Sequence, residues 1–164
     1  MNIAPPAFEA KIHDRGDVQR WMGGLARPLV FTNGVFDLLH RGHATYLAHA
    51  RSLGAALLVA LNADASAGRL GKGAGRPINR LEDRLAVVAA LASVDAVTWF
   101  DEDTPEALIR ACRPDVLVKG GDWPVERIVG ARDVLARGGR VLLIPFEHER
   151  STSALVERIR SSKD

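Results

Sequence analysis

A chain of 164 residues, 47% hydrophobic and 26% charged, has the size and composition of one globular domain with a sizeable core, which excludes a disordered or fibrous protein. Its 22 Lys and Arg against 20 Asp and Glu leave +2, too small a surplus for a broad polymer-binding face, so no nucleic-acid partner is expected despite a sequence pI of about 9.0. One Cys excludes a disulfide framework or a Cys-rich zinc site. With no apolar run near the roughly 18 residues of a membrane helix, and no basic N-terminal leader, a cytoplasmic protein without a membrane partner is expected.

Residues 8–22 read as a helix, with Asp17 as its cap, so that a helical extension over 1–24 precedes a catalytic core over 25–164 in a single domain. Strands are expected at 29–31, 55–61, 96–100, 116–118 and 141–144. These are continuous apolar runs, the pattern of strands buried on both faces of a parallel sheet. Helices alternate with them. The first, at 43–53, stops at Gly54 as a left-handed residue; the second, at 81–92, has Asn79 placed to cap and Glu82 and Asp83 in its first turn. Thr104-Pro105-Glu106 opens a third that ends before Pro114, a fourth spans 125–136 before Gly138-Gly139, and Ser151 caps a last one to about residue 160. Strand–helix alternation of this kind predicts right-handed βαβ units and a Rossmann-like doubly wound α/β fold. Ligands of such sheets bind at the carboxyl ends of the strands, where the strand order reverses.

The most informative segment follows the first strand: Thr32-Asn33-Gly34-Val35-Phe36-Asp37-Leu38-Leu39-His40-Arg41-Gly42-His43. Gly34 and Gly42 permit close backbone approach, and His40 and His43 lie three apart at a helix mouth, where free N–H groups and the helix dipole favour an anion. Zinc would need a third ligand that no spacing supplies, so no metal site is expected. A phosphate needs only donors, and Thr32, the backbone of Asn33, Gly34, Val35 and Phe36, and the two imidazoles supply them.

Gly-x-Phe-Asp-x-x-His-x-Gly-His, complete over residues 34–43, resembles the signature of the cytidylyltransferase-like nucleotidyltransferases. The resemblance implies that His40 and His43 bind a nucleoside triphosphate and stabilise its α-phosphate while an acceptor phosphate attacks, with Mg²⁺ bound mainly by phosphates. A second family element, a Ser/Thr motif at the start of the last helix, corresponds to Arg150-Ser151-Thr152-Ser153, where Arg150 replaces a small or apolar residue. It implies phosphate contacts from Arg150, Ser151 and Thr152.

Residues 68–77 are too glycine-rich and polar for a sheet and read as a mobile loop, from which Lys72 would close over the triphosphate. The paired glycines of Val118-Lys119-Gly120-Gly121-Asp122-Trp123 follow a strand end; Lys119, Gly120 and Asp122 are expected at the nucleotide. Asp37, Arg84 and Trp123 are expected at the acceptor.

Taken in order, residues 32–43, 72–77, 103–105 and 118–122 resemble the family's branch of adenylyltransferases that act on heptose 1-phosphate. That resemblance implies AMP transfer from ATP to D-glycero-β-D-manno-heptose 1-phosphate, giving ADP-heptose for lipopolysaccharide core or related glycans. It further implies a homo-oligomer, and a separate upstream kinase, since 164 residues leave no room for one. Two alternatives stand beside it: a cytidylyltransferase for glycerol 3-phosphate or a similar alcohol phosphate, and a non-catalytic nucleotide-binding regulatory module. NAD(P) binding is disfavoured, because no dinucleotide glycine fingerprint follows the first strand.

Overall fold

The structure is a computed structural model that describes residues 4–71, 75–145 and 152–162. Its elements are α1 (Val18–Met22), β1 (Leu29–Gly34), α2 (Arg41–Arg51), β2 (Ala56–Asn62), α3 (Asp64–Arg69), α4 (Leu81–Ala89), β3 (Ala96–Phe100), α5 (Glu106–Cys112), β4 (Val116–Gly120), α6 (Ala131–Ala136), β5 (Arg140–Ile144) and α7 (Thr152–Ser161). The five strands form one parallel sheet in the order β3-β2-β1-β4-β5. This is the expected Rossmann-like architecture. No helix among the described residues is long and apolar enough to cross a membrane.

Both faces of the sheet are buried, and successive residues of a strand feed opposite cores. Leu29, Phe31, Leu58, Ala60 and Leu117 pack with Val18, Ile109 and Val134, beneath α1, α5 and α6. Val30, Leu57, Val59, Leu61, Val97 and Val118 pack with Tyr46, Leu47, Leu85 and Val88, beneath α2 and α4. The two-sided burial explains why the strands read as unbroken apolar runs.

The chain winds outward from β1 to β3 and then returns to place β4 on the other side of β1, so the order reverses between β1 and β4. β1 pairs with β2 along six residues, from Leu29 to Gly34, but with β4 only at Val30↔Val116 and Phe31↔Leu117. Beyond Phe31 the two central strands part, which opens a crevice between their carboxyl ends.

Several local expectations are corrected. Residues 8–22 do not form one helix: two short 3-10 turns, Ala7–Lys11 and Arg15–Asp17, precede α1, and Ile12 bridges to Val97 at the sheet edge. Asp17 occupies the cap position of α1 without a side-chain bond. The span 125–136 is broken, because a 3-10 turn, Val125–Arg127, is followed by Gly130 at φ +82° before α6 starts. Gly54 is not a left-handed stop; a Cβ there would lie 2.4 Å from the carbonyl oxygen of Pro28, so close approach to the segment entering β1 demands glycine. Asn79 does not cap α4, whose cap position is Arg80; its side chain instead donates to the carbonyl of Asp37 at 2.8 Å. The expected 68–77 loop begins two residues later, since Gly68 and Arg69 close α3.

Candidate active site

A cleft of about 1010 Å³ opens where β1 and β4 part. The turn after β1 builds one wall. Phe36 sits there at φ +47°, a region costly for a side chain that bears a Cβ. Its ring lies where a Cβ on residue 34 would approach to 3.0 Å, so Gly34 is a steric requirement of the turn.

Two buried charges pin this turn from outside. Asp37 is almost fully buried and accepts from Arg76 Nε at 2.6 Å and from the backbone N–H groups of Ile78 and Asn79, each at 2.9 Å. Burial pushes its carboxyl up, but those two N–H groups and Arg76 outweigh it and hold the carboxyl below its ordinary range. Arg84, the largest fully buried side chain, donates to the carbonyls of Val35 at 2.7 Å and Asn79 at 3.0 Å, and to Asp64 Oδ1 at 2.7 Å. Both residues were expected at the acceptor. Asp37 does border the cleft, but its carboxylate is engaged by Arg76 and two N–H groups, and Arg84 is off the lining, so both act by positioning the turn. Thr32 is corrected in the same way: it is fully buried, and its hydroxyl shares a 2.6 Å hydrogen bond with Tyr46 Oη rather than facing a phosphate.

His40 and His43 stand at the start of α2, and both line the cleft. Their rings stack with centroids 3.9 Å apart at 21°, and Phe36 meets His43 edge-on at 5.2 Å. Gly42 makes the stack feasible, since a Cβ there would touch the His40 ring at 3.0 Å. Burial lowers the His40 pKa, and its Nδ1 is buried with no hydrogen-bond partner among the described residues. The His43 N–H is already bonded to the His40 carbonyl at 2.9 Å. The first-turn donors left without an intrahelical acceptor are therefore those of Arg41 and Gly42.

On the facing strand, Lys119 Nζ donates to Asn33 Oδ1 at 2.5 Å across the crevice. Burial pushes its pKa down to about 8. Among the described residues no carboxylate pairs with it, so the site holds a desolvated ammonium beside a neutral amide. Gly120 lines the cleft next to it, and Trp123 sits at the rim, 58% exposed. Asp122 is exposed and lies off the lining. At the far wall, Thr152 lines the cleft and donates its hydroxyl to the carbonyl of Leu38 at 3.2 Å, tying the start of α7 to the histidine turn. Lys72, Arg150 and Ser151 lie outside the described residues.

The cleft also contains the 103–105 segment noted in the sequence, and residues that were given no site role there. Asn62 ends β2 and bonds Ser66 at 2.9 Å; Asp103, Thr104 and Pro105 follow β3; Arg127, Ile128 and Val129 follow β4. Each follows or ends a strand at its carboxyl end, a signal the strand assignments already contained. Of the two acids on the lining, Asp37 is held by Arg76, and the exposed Asp103 pairs with Arg69 at 2.6 Å. No group of three or more His, Cys, Asp or Glu suited to a metal exists among the described residues.

The model of the cytidylyltransferase-like family matches residues 31–158. The chain is 55% identical to the D-beta-D-heptose 1-phosphate adenylyltransferase of Bordetella bronchiseptica, over 93% of this chain and 96% of that protein. It is 57% identical to the bifunctional protein HldE of Pseudomonas paraeruginosa over 80% of this chain, but that match spans only 28% of the longer protein. Among solved structures, a lipopolysaccharide core biosynthesis protein from Thermoplasma volcanium superposes with a TM-score of 0.59 at 28% identity, covering 74% of this chain and 98% of that one. A pantothenate synthetase from Thermus thermophilus, with a TM-score of 0.62 at 16% identity, covering 93% of this chain and 70% of that one, shares the fold.

Proposed function

The chain belongs to the cytidylyltransferase-like family, and on that premise we propose that it transfers AMP from ATP to D-glycero-β-D-manno-heptose 1-phosphate, releasing ADP-heptose and diphosphate. The observation that carries this reading is the 55% identity to a heptose 1-phosphate adenylyltransferase that runs nearly end to end in both chains. The product would serve lipopolysaccharide core or a related glycan, in keeping with the lipopolysaccharide core biosynthesis protein it resembles.

In the proposed reaction an oxygen of the sugar phosphate forms a bond to the α-phosphorus of ATP, and the bond from that phosphorus to the α–β bridging oxygen breaks, with diphosphate leaving. No covalent enzyme intermediate is needed, so the protein's task is positioning and charge stabilisation. The stacked imidazoles of His40 and His43, with the N–H groups of Arg41 and Gly42, receive the phosphates of ATP. Asn33 to Phe36 supply the backbone floor beside them. Lys119, with its charge unmet by any described carboxylate, adds the cation on the β4 side, and Gly120 allows the nucleotide close to the strand end. Trp123 offers a flat apolar rim to the sugar. From the sequence motifs, Lys72 is proposed to clamp the triphosphate, Ser151 and Arg150 to bind phosphate at the last helix, whose start Thr152 ties to Leu38, and Asp122 to reach the ribose. Mg²⁺ is proposed to enter as its complex with ATP, bound mainly by the phosphates.

A homo-oligomer and a separate kinase that makes the sugar 1-phosphate complete the proposal. The test is incubation with Mg²⁺ and either ATP or CTP against a panel of hexose and heptose 1-phosphates, with diphosphate release measured and the nucleotide sugar identified by mass. ADP-heptose as the main product is expected. A CDP product would favour the cytidylyltransferase alternative, and tight ATP binding without diphosphate release would favour a regulatory module.

A further inference from the structure

The amino end of the sheet holds a second cleft, of about 370 Å³, which the proposed reaction does not use. Its walls are the segment entering β1, the turn from α5 into β4 and the turn from α6 into β5. Four arginines line it, Arg27, Arg113, Arg137 and Arg140, against one carboxylate, Asp115. Four cations and one anion leave +3, more than the +2 of the entire chain. The cationic surplus behind the high pI is thus matched at this one place.

Asp115 is already committed, because its Oδ2 accepts from Arg27 at 2.8 Å and from the Leu29 N–H at 2.6 Å. Asp133 lies within Coulombic reach of Arg137 but is paired with Arg110 at 2.8 Å. The carboxyl ends of α5 and α6 point to this end of the sheet and offset about half a charge each. Roughly two positive charges remain without a counter-charge among the described residues. The guanidinium groups are also held in place. Arg27 donates to the carbonyls of Arg113 at 2.9 Å and Cys112 at 3.2 Å, and Arg140 to that of Leu53 at 3.2 Å. Arg137 makes a longer contact with the Pro114 carbonyl, at 3.5 Å. Each keeps donors to spare out of the five that a guanidinium carries.

We propose that this cleft is a second binding site, for a small phosphorylated anion of two or more negative charges, diphosphate or a phosphomonoester, gripped by Arg137 and Arg140. The remaining charge matches such an ion. The guanidinium fork matches phosphate geometry. The volume falls at the small end of ligand pockets, too tight for a folded partner. The inference stands apart from the reading of the carboxyl-end cleft, and neither fails with the other.

Amide NMR on the full chain tests it residue by residue, with diphosphate, glycerol phosphate and sulfate as separate titrants. Saturable shifts are expected at Val116, Gly138, Gly139 and Arg140 with diphosphate or glycerol phosphate, distinct from any shifts at Gly34 and Gly42. The paired substitution Arg137→Ala and Arg140→Ala should abolish the first set and leave the second. If the paired variant melts early, Arg140→Ala alone, at an exposed side chain, should weaken the first set several-fold. The proposal is overturned if these amides do not move, if they move linearly without saturation, if sulfate moves them equally, or if the shifts survive the substitutions.

Discussion

The two ends of the sheet use arginine in opposite ways. At the carboxyl end, Arg84 is buried and Arg76 nearly so, Arg76 paired with Asp37, and Arg84 with Asp64 and two carbonyls. They brace the turn over residues 34–37, beside the two imidazoles and the lysine that line the same cleft. At the amino end, the arginines are exposed and outnumber the carboxylates. A permanently charged group serves as scaffold at one end and as surface charge at the other. The main cleft adds groups whose charge can change near neutral pH, His40, His43 and Lys119.

The largest effect expected from breaking this contrast is on stability. Asp37→Ala leaves the largely enclosed Arg76 charge and two N–H groups without their acceptor and should cost about 3 kcal/mol in chemical denaturation. Because the folded carboxyl is held low, its contribution is present above the unfolded value of about 4 and disappears as pH falls through the folded one. The variant should lose that acid limb of the stability profile. Next comes chemistry without folding: His43→Ala should lower kcat by roughly 10²–10³, the scale of one lost transition-state donor, with an unchanged denaturation midpoint. Lys119→Ala should cost about 1.5–3 kcal/mol in kcat/KM, as for a charged hydrogen bond. In the unmodified protein, kcat/KM should fall as pH rises through about 8, where Lys119 loses its proton, and Lys119→Arg should flatten that limb. The smallest effect belongs to the amino end, where Arg137→Ala and Arg140→Ala should leave kcat unchanged and move stability by no more than about 0.5 kcal/mol. A large loss of turnover there would erase the contrast.

The architecture was legible because burial on both faces of the sheet leaves a plain mark: apolar runs such as residues 55–61 admit few other readings. The histidine pair was legible because Gly42 and its spacing fit a helix mouth. What the sequence concealed was which polar groups are consumed. Thr32, Asp37 and Arg84 carry the right chemistry beside the right motif, yet Thr32 bonds Tyr46, while Asp37 and Arg84 close mostly on partners 20 to 49 residues away. Local pattern does not encode such long-range pairing. The short elements failed for a related reason: the break at residues 128–130 follows from Gly130, where a Cβ would lie 2.8 Å from Ile109, a contact between segments that no helical periodicity records.

The central claim is that the crevice between β1 and β4, with His40 and His43 at its mouth, makes ADP-heptose. The most direct measurement follows product mass from ATP and D-glycero-β-D-manno-heptose 1-phosphate for the unmodified protein and for His43→Ala, with the thermal midpoint of each recorded. The account predicts ADP-heptose from the first, at least a hundredfold less from the second, and equal midpoints. Full turnover by a properly folded His43→Ala variant, or no ADP-heptose from the unmodified protein, would contradict it.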